Sequence, residues 1–312
     1  MLTRAVGLLL GYAADRMWAD PRRLHPVAGF GTVALRLEDR IYADSRTRGV
    51  GYALTLVGGA SALALAAERG ARNPLARIVL TAAVTWAVLG GRSLEHEAHA
   101  VHGLLQAGEL DQARARVRHL VGRDTAALGS DEIARAVVES VAENTSDAVV
   151  GSFVWGALAG VGGLVAHRSA NTLDAMVGHR SARYRRFGCA AARLDDLLGL
   201  PASRVSGVLA AALGPDPLGA LVAWRRDAGA HPSPNAGVAE ASFAGALGLR
   251  LGGTNTYYGN RREERARMGS GRGPTPADIP RATRLARRIG MAAALTAALF
   301  CLTAPARISA RR

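Results

Sequence analysis

Arg135, Glu139 and Glu143 lie four residues apart within Asp131-Glu-Ile-Ala-Arg-Ala-Val-Val-Glu-Ser-Val-Ala-Glu-Asn-Thr-Ser-Asp147. On a helix that spacing lines one face, and Asp147 extends the line if the helix persists beyond Asn144. Ile133, Ala136, Val137, Val138 and Val141 occupy other faces. A solvated stripe with one Arg–Glu pair would have the same spacing. Position argues for chemistry instead: the stripe runs directly into an apolar segment at Ala148. Carboxylates at the edge of a membrane are costly unless paired, hydrated or bound to a cation. Hard oxygen ligands of this kind suit Mg2+ shared with phosphate oxygens. Just upstream, Val121-Gly-Arg-Asp-Thr125 adds Arg123 and Asp124.

Two further stretches have a similar character. Asn171-Thr-Leu-Asp-Ala-Met-Val-Gly178 puts Asn171 with Asp174, and Asp174 with Gly178, on shared helix faces. Arg183, Tyr184, Arg185 and Arg186 follow, then Ala192-Arg-Leu-Asp-Asp196. Two acidic elements around an Arg cluster could hold a metal-bound polyphosphate. A basic patch for lipid headgroups would explain the Arg residues but not the Asp residues. His231-Pro-Ser-Pro-Asn-Ala-Gly-Val-Ala-Glu240 carries Ser233, Asn235 and Glu240 on a Pro- and Gly-punctuated loop. It reads either as a ligand-binding loop or as ordinary turn chemistry. Near the amino terminus, Asp15, Asp20-Pro21 and His25-Pro26-Val27 follow an apolar run; a single His there is more often structural. His96, His99 and His102 recur every three residues, a spacing that rotates around a helix and brings no carboxylate partner for a metal site.

The elements that must position these residues are largely apolar. Segments 2–14, 50–67, 75–91, 148–166, 205–223 and 289–304 approach the length of about 20 residues needed to span a bilayer. Segment 148–166 is rich in Gly, and 205–223 is broken by Gly214-Pro215-Asp216-Pro217, so both are expected to be re-entrant or helical hairpins. The polar regions between them read as amphipathic helices and loops, and no strand-like alternation of useful length is present. The expectation is an all-α, polytopic integral membrane protein of about four to six spans, one domain over residues 1–312. The Arg-rich stretch 261–288 is expected to be a loop, partly disordered. Arg is abundant on nearly every loop, so the positive-inside rule does not orient the chain.

Composition narrows the chemistry. Apolar residues make up 49% of the chain but aromatics only 5%, which suits close helix packing in lipid. The net charge of +14 flanks apolar segments rather than forming one stripe. That distribution fits anionic headgroups and phosphorylated ligands, not nucleic acid. All 39 basic residues are Arg. Without Lys there is neither a P-loop nor a pyridoxal phosphate Schiff base. Any phosphate must be held by Arg, backbone amides or metal-linked carboxylates. Cys189 and Cys301, the only cysteines, suggest neither a disulfide framework nor a zinc site. Asp15, Arg16 and Asp20 follow the apolar start where a signal peptide would have a cleavage site, so that segment reads as uncleaved.

Taken in order over residues 11–253, these stretches resemble the adenosylcobinamide-phosphate synthase family, called CbiB or, in other naming schemes, CobD. The resemblance rests on Asp20-Pro21 with His25-Pro26-Val27, Val121-Gly-Arg-Asp-Thr125, and Glu139-Ser-Val-Ala-Glu-Asn144 with Asp147. It continues through Asn171-Thr-Leu-Asp174 with Met176 and Gly178, Ala192-Arg-Leu-Asp-Asp196, and Ser233-Pro-Asn-Ala-Gly237 with Glu240 and Ala244-Gly-Ala-Leu-Gly248. Ala19 stands where the family usually has Gly, His167 where an aromatic is common, and Ser242-Phe243 where a small residue and Met are usual. None of these departures removes a charged motif residue.

The resemblance implies an ATP- and Mg2+-dependent ligase of cobalamin biosynthesis. It would amidate the propionate of adenosylcobyric acid with 1-amino-2-propanol phosphate or a related aminoalcohol phosphate. On that basis Glu139, Glu143, Asp147, Arg123 and Asp124 are the catalytic candidates, with Glu139, Glu143, Asp147 and Asp174 as metal ligands. Asn144, Asn171, Asp174, Arg183, Arg193, Asp195 and Asp196 would bind nucleotide, and Asp20, His25, Ser233, Asn235 and Glu240 the substrates. The implied setting is the plasma membrane among lipid, with the site on the cytoplasmic side, as a homo-oligomer or in complex with other pathway enzymes. Two other readings use the same residues. A transporter or assembly factor would line a path with the charges. A CDP-alcohol phosphotransferase would need acids where Val177 and Gly199 stand.

Overall fold

The computed structural model describes residues 1–21, 25–122, 124–179, 181–257 and 261–303. Five helical stretches are long and apolar enough to cross a membrane: Arg46–Gly70, Pro74–Gln106, Ser130–Gly178, Cys189–Leu213 and Pro276–Thr303. The chain is an all-α polytopic membrane protein with one antiparallel hairpin, β1 (Leu251–Tyr257) and β2 (Arg261–Met268). The stretch read from sequence as an Arg-rich loop at 261–288 contains β2, a 3-10 turn at Pro276–Asp278 and the start of a helix. Asp278 organises it: this fully buried carboxylate takes bonds from Arg272 at 2.7 and 2.8 Å and from Arg281 at 2.6 Å. Where the sequence suggested one domain, the chain forms two compact units. One is Met1–Gly90 with Gly151–Gly199 and Ala293–Arg312; the other is Gly91–Val150 with Leu200–Ala292.

In the first unit, α1 (Leu2–Trp18) and α5 (Pro74–Leu89) run parallel in close contact. A Cβ at Gly7 would stand 2.5 Å from the Thr81 Cβ, and one at Gly11 2.4 Å from the Thr85 Cβ. Small residues four apart on one helix, meeting Thr on the other, let backbones approach where lipid gives no hydrophobic drive to association. The helix α2 (Pro26–Ile41) begins at a Pro in its first turn, behind His25. Next, α3 (Arg46–Ala53) passes through a π-helical turn at Leu54–Gly58 into α4 (Gly59–Gly70).

The segment α9 (Gly151–Leu173) is not straight. Gly160 has φ 66° and ψ −147°, outside the helical region. A Cβ at Gly151 would meet the His167 ring at 2.2 Å. Residues 16 apart on a straight helix would stand ~24 Å apart, so the chain reverses at Gly160 into a helical hairpin. Its tip is capped by a pair of charges. Arg4 donates to the Ala157 carbonyl at 3.2 Å, Glu68 accepts from the Val161 N–H at 3.2 Å, and the two side chains meet at 3.4 Å. A cation thus serves the C-terminal end of one leg and an anion the N-terminal end of the other, each sign matching the local dipole. Beyond α9, a second π-helical turn at Asp174–Gly178 leads to α10 (Tyr184–Phe187) and α11 (Cys189–Leu213). The core of this region is Tyr52 against Phe187, ring centres 5.0 Å apart, ringed by Ala34, Leu56, Ala170 and Leu173.

The second unit contains α6 (Gly91–Gln106), α7 (Leu110–Val117), α8 (Ser130–Asn144), α12 (Pro217–Asp227) and α13 (Ala236–Leu247). Gly214-Pro215-Asp216-Pro217 ends α11 and starts α12, with Asp216 accepting the Gly219 N–H at 2.7 Å as a cap. The interrupted apolar run at 205–223 is therefore two helices. Every residue of α13 is buried, as expected for a helix apolar on all sides. It crosses α12 at glycine: a Cβ at Gly245 would be 2.1 Å from the Gly219 carbonyl oxygen. The last helix, α14 (Ile279–Thr303), begins in this unit.

Candidate functional site

In the second unit, α8 turns Arg135 and Glu139 toward the base of the β-hairpin. Glu139 Oε1 accepts the Gly252 N–H at 2.9 Å, the Arg135 guanidinium donates to the Gly252 carbonyl, and the two side chains approach to 3.9 Å. A bulge between Leu251 and Gly253 makes this possible, with Gly252 at φ 78° and Gly253 at φ 93°. Only glycine adopts such backbone at low cost. The Arg–Glu pair expected from spacing exists, and it clamps both polar groups of one residue.

One turn on, Asn144 donates to the Ser140 carbonyl at 2.9 Å, and the Ser140 hydroxyl donates to the Leu120 carbonyl at 2.9 Å. Thr125, fully buried, donates to the Arg114 carbonyl at 2.8 Å. These bonds fasten the 121–125 motif beside α8. Asp124 accepts the Ala126 N–H at 3.0 Å as a local turn; Arg123 lies outside the described residues. The chain stays helical past Asn144 as a π-helical turn, Thr145–Val150, that carries Asp147. Glu143 and Asp147 are half-buried, whereas Glu139 is buried.

Ser233 and Asn235 do the work of a turn. The Ser233 hydroxyl accepts from the Asn235 and Ala236 N–H groups at 3.3 and 3.2 Å. Asn235 Oδ1 accepts from Ser203 at 2.9 Å and Arg204 at 3.0 Å. Glu240, 2% exposed, faces the His231 Nε2 at 3.7 Å. His231 Nδ1 lies 3.0 Å from the Ser233 N–H and 3.2 Å from the Ser233 carbonyl, which holds the ring with Nε2 toward Glu240. His231 also lines a cavity of about 400 Å3 with Arg204, Trp224 and Arg225. Sequence reasoning did not single out His231; its signal was the His-Pro start of the loop. Another cavity, about 500 Å3, opens over the hairpin base beside Arg135, Gly252 and Gly253.

In the first unit, Asp20 and His25 approach to 3.6 Å, and His25 Nδ1 accepts the Val27 N–H at 3.2 Å to cap α2. Behind them an apolar cavity of about 350 Å3 is lined by Pro26, Val27, Phe30, Val84, Val165 and Arg168. Asn171 accepts from Arg168 at 3.3 Å. Asp174 sits on the second π-helical turn, where a Cβ at Gly178 would strike its carboxylate at 1.8 Å. The Asp-to-Gly spacing thus leaves room for this acid. Along α11, Arg193 is exposed, and Asp195 and Asp196 are half-buried.

Arg183, expected to bind phosphate, is bound to a carboxylate instead. It donates to Glu38 at 2.9 and 3.2 Å, Tyr184 donates to the same oxygen at 2.8 Å, and the guanidinium lies 4.0 Å above the Tyr42 ring. The Glu38 hydrogen bond raises the Arg183 pKa further, and burial, with Glu38, raises that of Tyr184. Glu38 was missed: it stands in an unremarkable amphipathic helix, 145 residues from its partner.

Among the described residues, no three His, Cys, Asp or Glu side chains group closely enough to hold a metal ion by themselves. A cation held by one or two carboxylates and completed by substrate phosphates needs no such group.

The profile of the CobD/Cbib protein family matches residues 8–286. A protein of Mycobacterium tuberculosis named cobalamin biosynthesis protein CobD is 46% identical over 304 residues, 96% of each chain. Proteins of the same name from Geobacter metallireducens and Rhodobacter capsulatus are 42% and 38% identical over 262 and 294 residues. They cover 81% and 92% of this chain and 82% and 92% of their own. No solved structure matches.

Proposed function

The chain belongs to the CobD/CbiB family of cobalamin biosynthesis, and on that premise we propose that it joins a corrinoid carboxylate to an aminoalcohol phosphate at the expense of ATP. A carboxylate is a poor acyl donor, because direct amine attack would have to expel oxide. Phosphorylation by ATP gives an acyl phosphate, which the amine attacks with loss of phosphate. Such a phosphoryl transfer needs positioning and charge stabilisation more than a protein nucleophile, in keeping with a chain that has no Lys. Mg2+, when bound, supplies charge neutralisation at the transferred phosphoryl group. Glu143 and Asp147, both in the second unit, would hold it. Glu139 is already engaged with Gly252, so its part is to fix the hairpin base.

One observation supports this reading above the others. Asp147 and Asp174, both singled out from the sequence, each stand on a π-helical turn, one directly before α9 in the chain and one directly after it. Such turns cost regular hydrogen bonding and recur at functional sites. We further place the enzyme in the plasma membrane, with its site on the cytoplasmic side, where ATP is available. The test uses the purified protein in detergent. ATP should be consumed only when both the corrinoid acid and the aminoalcohol phosphate are present. Consumption without either, or none with both, would return the chain to the transporter or assembly-factor reading.

A further inference from the structure

The cavity over the hairpin base is lined by three arginines from three elements: Arg135 on α8, Arg250 just before β1, and Arg267 near the end of β2. Its floor is the Gly252–Gly253 bulge. Several arginines elsewhere in this chain are answered by carboxylates. Arg183 has Glu38, Arg226 has Asp227, and Arg272 and Arg281 share Asp278. Among the described residues, Arg250 and Arg267 pair with no carboxylate, although both are exposed within reach of the same cavity. Among the described residues the acids lining it are Asp131 and Glu132, and Glu132 caps the Gly129 N–H at 2.8 Å.

We propose that this cavity is the binding site for a phosphorylated small molecule, with Arg250 and Arg267 holding its phosphate. A planar guanidinium offers paired donors that match phosphate oxygens, and a chain without Lys has no other cationic side chain for the task except His. The bulge glycines leave the floor without side chains; a Cβ at Gly253 would stand 2.9 Å from the Arg135 guanidinium. Phosphate is therefore admitted down to the backbone, and the Arg135–Glu139 clamp keeps that backbone in place. Asp131, exposed at the rim, suits an ammonium or a phosphate-bound Mg2+. The volume of about 500 Å3 admits either a nucleotide or an aminoalkyl phosphate. The identity of the phosphate, though not the site itself, rests on the ligase reading.

The experiment measures binding of three probes to the full-length protein in detergent by calorimetry: a non-hydrolysable ATP analogue, 1-amino-2-propanol phosphate and inorganic phosphate. Arg250→Gln with Arg267→Gln should weaken at least one organic probe by tenfold or more, and Arg267→Lys should lose less. The probe that loses affinity names the source of the phosphate. Inorganic phosphate should compete with that probe in the unmodified protein. Equal affinity of the double variant for all three probes, with the protein folded by thermal melt, would overturn the proposal, as would no binding by the unmodified chain. If the double variant loses binding while no amidation is seen in the unmodified protein, the phosphate site stands and the ligase reading falls. If amidation proceeds in the double variant with unchanged KM for both phosphorylated substrates, the reverse holds.

Discussion

Two arginine-rich regions, one in each unit, look alike in sequence and differ in kind. In the first, Arg183-Tyr-Arg-Arg186 supplies three guanidinium groups in four residues, and the structure ties Arg183 to a nearly buried Glu38 between two tyrosines. In the second, Arg250 and Arg267 stand 17 residues apart, one just before β1 and one on β2 of a bulged hairpin, and line one cavity; among the described residues neither pairs with a carboxylate. Density of charge along the chain does not tell the two regions apart. A guanidinium is available to a ligand when folding has not already given it an anion. That is decided by residues distant in sequence.

The acids differ in burial and in role. Glu38 and Glu139 are buried and bound to Arg183 and Gly252, Glu68 caps the hairpin tip, and Glu143 and Asp147 lie half-buried along the α8 line. The largest effect should follow from Glu143→Gln. Amide formation should fall by at least ~100-fold, as for loss of a group that stabilises transition-state charge, while membrane insertion and thermal melting stay unchanged. Turnover within a few-fold of the unmodified enzyme would remove the acidic line from the site.

Glu68→Ala tests the opposite role. It leaves the Val161 N–H and Arg4 without their anion at the hairpin tip. Stability should drop by roughly 1–3 kcal/mol for a partly buried unsatisfied group, with kcat retained below the melting temperature. A loss of turnover without a loss of stability would mean that the tip takes part in the reaction. Arg183→Gln sharpens the comparison between the two arginine clusters. Phosphate-probe affinity should stay within about twofold of the unmodified chain, against the tenfold loss expected at Arg250 and Arg267, since each tenfold step is about 1.4 kcal/mol. Equal losses at both clusters would erase the distinction.

Much of this was legible in the sequence where the signal was local. The glycines of 148–166 announced a break, and Gly160 makes it. Gly-Pro-Asp-Pro announced a helix boundary, and Asp216 caps it. Ser-Pro-Asn was read as turn chemistry or ligand loop, and the bonds of Ser233 and Asn235 are those of a turn. What escaped was non-local. The β-hairpin shows no apolar alternation in the sequence; among its described side chains, Leu251 and Met268, paired at the base, are buried. The Glu38–Arg183 pair spans 145 residues, and the cavity arginines carry no motif at all. Arg135 and Glu139 were found by helical spacing, but their true partner, Gly252, lies more than 100 residues on.

The smallest effect concerns Asp227, which joins α12 to the hairpin. Its carboxyl is held below the usual carboxylate range, first by hydrogen bonds from Arg226 at 2.6 and 2.8 Å and further by the Gly269 N–H at 2.7 Å, against the opposing pull of burial. A depressed carboxyl stabilises the fold above its unfolded value of about 3.9, and the contribution is lost as pH falls through the folded value. Arg226 is half exposed, so screening keeps the effect small. Asp227→Asn should lower the melting temperature by about 1–2 °C at pH 7, with the difference shrinking as pH falls below about 3.9 and through the depressed folded value. Because Asn still offers one acceptor to Gly269, what this variant measures is the charge on the pair. Melting curves that diverge as pH falls would show that Arg226 and Asp227 do not form a structural pair. Arg226 would then belong with Arg250 and Arg267 among the arginines open to a ligand.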